Sequence, residues 1–400
     1  MIDLNTQYAW EMMRKRRIAA AGGGSTPLTL TALTAGSKVT LNKVGSPPDI
    51  TLEYSTGGAW TTYTIGTEIT LVSAGDYIKF RGDNSTFSTG EADYYQFAMS
   101  GTIGASGNVM SLVDSTCKLL TIPCDFCFRR LFYNCPGLTT APALPATTLA
   151  TGCYIGMFQY CTGLTTAPAL PATTLATNCY QYMFYDCPGL TTAPALPATT
   201  LATRCYQYMF TGCTGLTTAP ELPATTLATR CYQYMFTGCT GLTTAPELPA
   251  TTLATNCYYA MFEGCTGLTT APALPATILA TGCYIGMFQY CTGLTTAPAL
   301  PATTLATNCY QYMFYDCTGL TTAPALPATT LAANCYQYMF YGCTKLSSIE
   351  VSFTSWTQAT NQTMNWVKGI TSSGTFTKPT ALATEYGEDK IPTGWTVINK

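Results

Sequence analysis

Cysteine returns every 26 residues. One series occupies Cys127, Cys153, Cys179, Cys205, Cys231, Cys257, Cys283, Cys309 and Cys335, and a second follows eight residues behind, from Cys135 to Cys343. Eighteen of the twenty cysteines are therefore repeat positions. The unit that starts at Cys179 reads CYQYMFYDCPGLTTAPALPATTLATR. Residues 204–229 and 230–255 are identical, and 151–187 recurs unchanged as 281–317, five units later. A 26-residue unit is too short to bury an apolar face alone. Stacked copies solve this by giving each Leu, Met, Phe and Cys the same residue above and below. The expected fold is a solenoid of nine units.

Within a unit, Leu138, Ala141 and Leu144 suit the inward positions of a short strand, with Thr139, Thr140 and Pro142 between them and Pro145 as its stop. Cys153, Tyr154, Met157 and Phe158 have the spacing of one helical or 3-10 turn with an apolar side. Strands in register at about 4.8 Å per coil would give a rod or shallow arc on the order of 40 Å long.

Phe158, Cys161, Leu164, Leu170 and Pro171, recurring at 26-residue steps, fill an F-x-x-C-x-x-L pattern that leads into a strand ending in L-P. That pattern resembles the leucine-rich repeats of bacterial surface antigens, over about half the chain. Ala141 and Ala167 stand where such repeats favour Ile or Leu, and a proline falls inside the strand, which should shorten it. The resemblance implies a parallel-strand scaffold that acts by binding a partner.

The flanks are different material. Residues 1–24 read as a helix from about Thr6 to Ala21, capped by Asn5 or Thr6 and closed by three glycines that suit a hinge. Residues 25–116 alternate apolar and polar between Gly, Ser, Pro and Asp turns, which predicts a small β-sandwich. Residues 117–343 hold the repeats, and 344–400, with Trp356, Trp366 and Trp395, should cap the open end of the solenoid. This three-part order, closing on Ile391-Pro392-Thr393-Gly394-Trp395-Thr396-Val397, is similar to fibre or appendage proteins of phages and prophages of anaerobic gut bacteria. Arg14 to Arg17 interrupt any apolar export segment near the start, so assembly in a host cytoplasm and display on a virion surface is expected, with a bacterial cell-surface adhesin as the alternative.

The 400 residues include no histidine, which excludes Ser-His-Asp and Cys-His catalysis and His-ligated zinc or haem. C-x7-C is not a zinc spacing, and the regular Met, Phe and Leu companions mark the cysteines as reduced core residues. Cys124 and Cys127, with Cys117 and Cys135 nearby, offer four thiolates for zinc in principle, but Cys127 and Cys135 are ordinary repeat positions. Glu221 and Glu247 hold the same place in adjacent units, about 5 Å apart by strand spacing, near a retaining glycosidase's carboxylate separation. Unit duplication explains that pair without chemistry, so Glu221 and Glu247 count as candidate binding-surface residues and a glycan-cleaving enzyme is only a remote alternative. No enzyme activity and no cofactor are expected.

Tyrosine carries more information. Tyr180, Tyr182, Tyr185, Tyr206, Tyr208, Tyr232, Tyr234, Tyr258, Tyr259, Tyr310, Tyr312 and Tyr315 are too many for so short a turn to bury, so some should line an outer face. Tyrosine gives contact area at low entropy cost and stacks on sugars, which makes the stripe a candidate binding surface; covering of coil edges is the plainer reading, and the Thr ladder from Thr139-Thr140 onward is a second candidate face. At the N-terminus, Arg14, Lys15, Arg16 and Arg17 are few charges for nucleic acid in a chain of net charge −2. Their neighbours Tyr8, Trp10, Met12 and Met13 suit attachment to other virion proteins or homo-oligomerisation, for instance as a trimer, and a solvated helix face is the alternative. The composite expectation is a noncatalytic head or tail fibre without membrane insertion, displaying its repeats for host-surface or glycan adhesion.

Overall fold

The computed structural model describes residues 26–400; the expected N-terminal helix and the attachment residues Tyr8 to Arg17 lie outside them. Two sheets open the described chain. The first has the order β4 (Thr61–Tyr63), β3 (Leu52–Ser55), β6 (Tyr77–Arg81), β1 (Leu28–Ala32), β8 (Ile103–Ser106) and β9 (Leu138–Thr140), and the second β5 (Ile69–Leu71), β2 (Ser37–Val44) and β7 (Tyr94–Ser100). In β1 the sequence LTLTA buries every second residue, so Leu28, Leu30 and Ala32 face the core. The two sheets meet where Phe80 of β6 packs on Phe97 of β7, centroids 5.4 Å apart. Tyr63 ties them by a hydroxyl that accepts the Leu41 N–H at 3.0 Å and donates to the Thr67 carbonyl at 2.6 Å.

The repeat segment expected to be helical is not a helix. Residues 152–161 form overlapping tight turns in which Ile155, Met157, Gln159 and Cys161 each donate three residues back, all at 3.1 Å. The alternate donors Tyr154, Gly156, Phe158 and Tyr160 bond instead to Cys179, Gln181, Met183 and Tyr185 carbonyls of the next coil, at 2.8–3.0 Å. A helix would spend all of these N–H groups within the segment, whereas this arrangement satisfies them and joins the coils. It needs a left-handed residue at every fourth position, here Gly152, Gly156 and Tyr160 with φ near +60°, and in the next coil Asn178, Tyr182 and Asp186. For side chains other than Gly and Asn that backbone costs roughly 1–2 kcal/mol each. The cross-coil bonds offset it.

The strand, expected to be short, is shorter still. Among the nine units the first and the last keep a three-residue strand, β9 and Ser348–Glu350, and the coils between retain isolated parallel bridges at their threonines, such as Thr140–Thr166, Thr166–Thr192 and Thr218–Thr244. Two residues beyond each of these threonines stands a proline with no N–H to continue a ladder. Leu138 and Leu144 point inward as the pattern requires, but Pro142 is buried and Ala141 only half-buried. Coils come close enough that a Cβ added at Gly241 would lie 2.4 Å from the Thr214 carbonyl oxygen. Lys345 fills the equivalent slot in the ninth unit, so a coil can shift to admit a side chain there.

Both ends of the stack are covered. At the N-terminal end β8 pairs in parallel with β9, and Cys135 donates to the carbonyl of Phe97 at 3.2 Å, so β7 serves as the coil before the first. At the other end, the turn geometry runs one coil past the last cysteine. Asn361, Asn365 and Gly369 are left-handed, and Tyr336, Tyr338 and Phe340 donate to carbonyls of Gln362, Met364 and Trp366. A parallel sheet of β10 (Ser348–Glu350), β11 (Thr375–Lys378) and β12 (Thr396–Asn399) then extends the threonine ladder through the Thr322–Ser348 bridge.

Candidate functional site

Two aromatic columns fill the stack. Tyr154, Tyr180, Tyr206, Tyr232, Tyr258, Tyr284, Tyr310 and Tyr336 lie ring over ring at 5.8–6.0 Å. Phe132, Phe158, Phe184 and their successors to Phe340 form the second at 5.5–5.8 Å. Both end on Trp366 of the cap. Tyr180, Tyr206, Tyr232, Tyr258 and Tyr310 are at most 2% exposed, which removes these five from the candidate binding surface. They precede Met and Phe by three and four residues on the inward side of the turns, where they join the buried Cys, Met, Phe and Leu side chains of the core.

The thiols share this interior. Cys161 donates to the Phe132 carbonyl at 3.0 Å, and Cys187, Cys213, Cys239 and the rest of that series to Cys343 make the same bond one coil apart, at 3.0–3.1 Å. Burial pushes the thiols up, to about 12 at Cys161 and Cys239, so they remain protonated donors. Cys124 is different. It is half-buried, accepts from the Cys127 thiol and from the Phe87 N–H at 3.3 Å, and these bonds to its thiolate bring it down to about 6. Among the described residues, no three Cys, Asp or Glu side chains gather closely enough to hold a metal ion.

The second tyrosine of each Y-x-Y pair faces outward. Tyr182, Tyr208 and Tyr234 are half-buried and stack at 4.7 and 4.6 Å within 8° of parallel. The column breaks at Ala260 and Gly286, with Tyr259 tilted against Tyr234 at 5.0 Å, and resumes as Tyr312 on Tyr338 at 4.8 Å. Tyr185 and Tyr315 flank these rings, and Tyr315 stacks flat on Tyr341 at 4.6 Å. Beneath the rings a glutamine ladder, Gln181 to Gln207 to Gln233, closes with amide hydrogen bonds of 2.6 Å. Glu263 lies on the same face, and burial raises its carboxyl.

At the N-terminal end of this face is a cleft of about 290 Å³ that joins the sheets to the first four coils, lined by Glu91, Arg129, Arg130, Gln181, Tyr182 and Arg204, among others. Tyr94 and Tyr133 hold Arg130, with ring centroids 5.8 and 4.9 Å from its guanidinium. Glu221 and Glu247, in contrast, are exposed on the extended segments between the bridges Thr218–Thr244 and Thr226–Thr252, and neither lines the cleft. The arginines escaped the sequence reading. Their signal was a departure inside a repeat slot: Arg204 and Arg230 stand where other units carry Asn or Gly.

The family described as BspA type Leucine rich repeat region matches the chain in six copies, over residues 127–269, 207–325 and 261–373, together well over half its length. The last match runs beyond Cys343 and takes in the tenth coil. No curated protein and no solved structure matches the chain. No helix among the described residues is long and apolar enough to cross a membrane.

Proposed function

The chain belongs to the BspA-type leucine-rich repeat family, and from that premise we propose that it is a noncatalytic adhesin-like protein displayed at a surface, binding its partner through the outer tyrosine face of a repeat solenoid. The observation that carries this is the Tyr182–Tyr208–Tyr234 column, whose rings are stacked in register yet half open to solvent. A pre-ordered aromatic strip loses little entropy on binding and suits the apolar face of a sugar ring or a protein loop. The identical blocks 151–187 and 281–317 repeat Tyr182 and Tyr185 as Tyr312 and Tyr315, five coils and about 24 Å further on. Two such patches on one rigid stack favour weak, multivalent attachment to a repeated host-surface glycan or protein.

The carrier we propose is a phage particle, with the N-terminal segment as the attachment and oligomerisation element; what supports it is the three-part order of the sequence. Display on a bacterial cell surface is the second reading, favoured by the family itself. Immunogold labelling of purified virions and host envelopes with an antibody to the repeats separates them. Label on the particle is expected, and label confined to bacterial envelopes would overturn the virion assignment while leaving the adhesive one intact. For the binding face, Tyr208→Ala together with Tyr234→Ala should abolish attachment to host cells in a protein that melts within a few degrees of the parent, and undiminished attachment would refute it.

A further inference from the structure

The cleft at the head of the tyrosine face contains mismatched polar groups. Arg129 is 91% buried by its 9% exposure, yet its Nε, like that of Arg130, has no hydrogen-bond partner. None of Arg129, Arg130 and Arg204 forms an ion pair among the described residues, and Glu91 is the single carboxylate on the rim. Beside these unused donors is an unused acceptor: Asn178 Oδ1 is buried without a donor.

The chain contains its own control. Because 151–187 recurs as 281–317, the middle of this cleft is repeated five coils later with Gln311 and Tyr312 for Gln181 and Tyr182. There the slots of Arg129, Arg130 and Arg204 hold Tyr259, Ala260 and Asn334. Asn334 donates to Asn308 Oδ1 at 2.9 Å, satisfying the very atom that Asn178 leaves open in the first copy. Arg204 also adopts a left-handed backbone, φ +55°, in a slot that it shares with Arg230 of the next coil and that Asn or Gly fills at 152, 178, 256, 282, 308 and 334. One copy of the site is self-sufficient and the other is short of an anion and of a hydroxyl or amide donor.

From this pairing we infer that the cleft is a binding site for a carboxylated sugar. The carboxylate meets the guanidiniums of Arg129, Arg130 and Arg204, a ring hydroxyl donates to Asn178 Oδ1, and the sugar lies beside the Tyr182 ring. Inorganic phosphate or sulfate would satisfy the arginines but brings little to donate to Asn178, and the cleft holds nearly ten times the ~30 Å³ of one water. The inference goes beyond surface attachment as such, since the site can hold a free sugar whether or not the tyrosine face adheres to cells.

The test titrates the full chain with glucuronic acid, N-acetylneuraminic acid, glucose and inorganic phosphate by ligand-observed NMR. At least one acid sugar should bind, at least tenfold more tightly than glucose or phosphate. Arg204→Asn, which installs the residue found at 334, should weaken that binding at least tenfold while leaving the melting temperature and host-cell attachment through the tyrosines in place. Absence of binding by both acids, equal binding of phosphate, or binding indifferent to Arg204→Asn would each overturn the inference; loss of cell attachment in the tyrosine variants bears only on the adhesive reading.

Discussion

Tyr180 and Tyr182 stand two residues apart in one motif and recur with one period, yet they belong to two regions with different rules. The inner column is closed: each ring from Tyr180 to Tyr310 lies between two tyrosine rings 5.8–6.0 Å away, and Phe128 and Trp366 cover its ends. The outer column is half open, packs more tightly at 4.6–4.8 Å, and is interrupted at Ala260 and Gly286. Where a side chain is needed for stacking, every unit keeps an aromatic ring, Phe128 in the first and Tyr in the other eight; where it meets solvent, units differ. Packing thus fixes one position, and the other is free to carry recognition.

The widest contrast between inside and outside is chemical. A thiol-reactive probe at pH 7 should label Cys124 first, by more than a thousandfold over the buried series, because Cys124 is mostly thiolate above about 6 while Cys161 and Cys239 titrate near 12. The rate should fall as pH drops below about 6; uniform labelling, read by mass spectrometry of digested protein, would break the distinction.

Stability should divide the same way. Tyr232→Ala, which empties a fully buried ring site, should cost about 3–5 kcal/mol in denaturant unfolding, while Tyr234→Ala should cost about 1 kcal/mol or less. Equal costs would mean that the outer column is structural. Cys239→Ala removes one S–H to carbonyl bond and a small volume, with an expected loss of about 1 kcal/mol. Glu263→Gln should give the smallest change. Its carboxyl is raised by burial, so the fold favours the protonated form and loses stability as pH rises through the raised value. The Gln variant should melt slightly above the parent at pH 7 and equal to it once the pH is below the ordinary glutamate range of about 4.

Much of the core was legible beforehand. A strict 26-residue period assigns Cys, Met, Phe and Leu to the interior without any structure, because identical units can only meet through identical residues. The turn conformation was not legible. Cys153, Tyr154, Met157 and Phe158 carry helical spacing, but Gly152, Gly156 and Tyr160 break it with left-handed backbone, and only cross-coil hydrogen bonds make that conformation favourable. The tenth coil was hidden for a related reason. Its backbone repeats the turns, but Gln362 and Trp366 replace the Cys and Met that marked the period. Tyr180 and Tyr182 were inseparable as residue types, and which faces inward follows from the turn, not from composition. The arginine cleft forms from four coils and a loop of the preceding sheets, so no local motif announces it.

In the proposed division of labour the outer tyrosines recognise a partner while the inner ones hold the stack. The decisive comparison is glycan-array binding of the full chain and of the Tyr208→Ala, Tyr234→Ala double variant, which leaves the Tyr182 ring of the arginine cleft in place. The parent should bind a defined set of glycans, and the variant, melting within a few degrees of it, should lose that binding by at least tenfold; an unchanged binding pattern in a folded variant would mean that the outer face does not carry recognition.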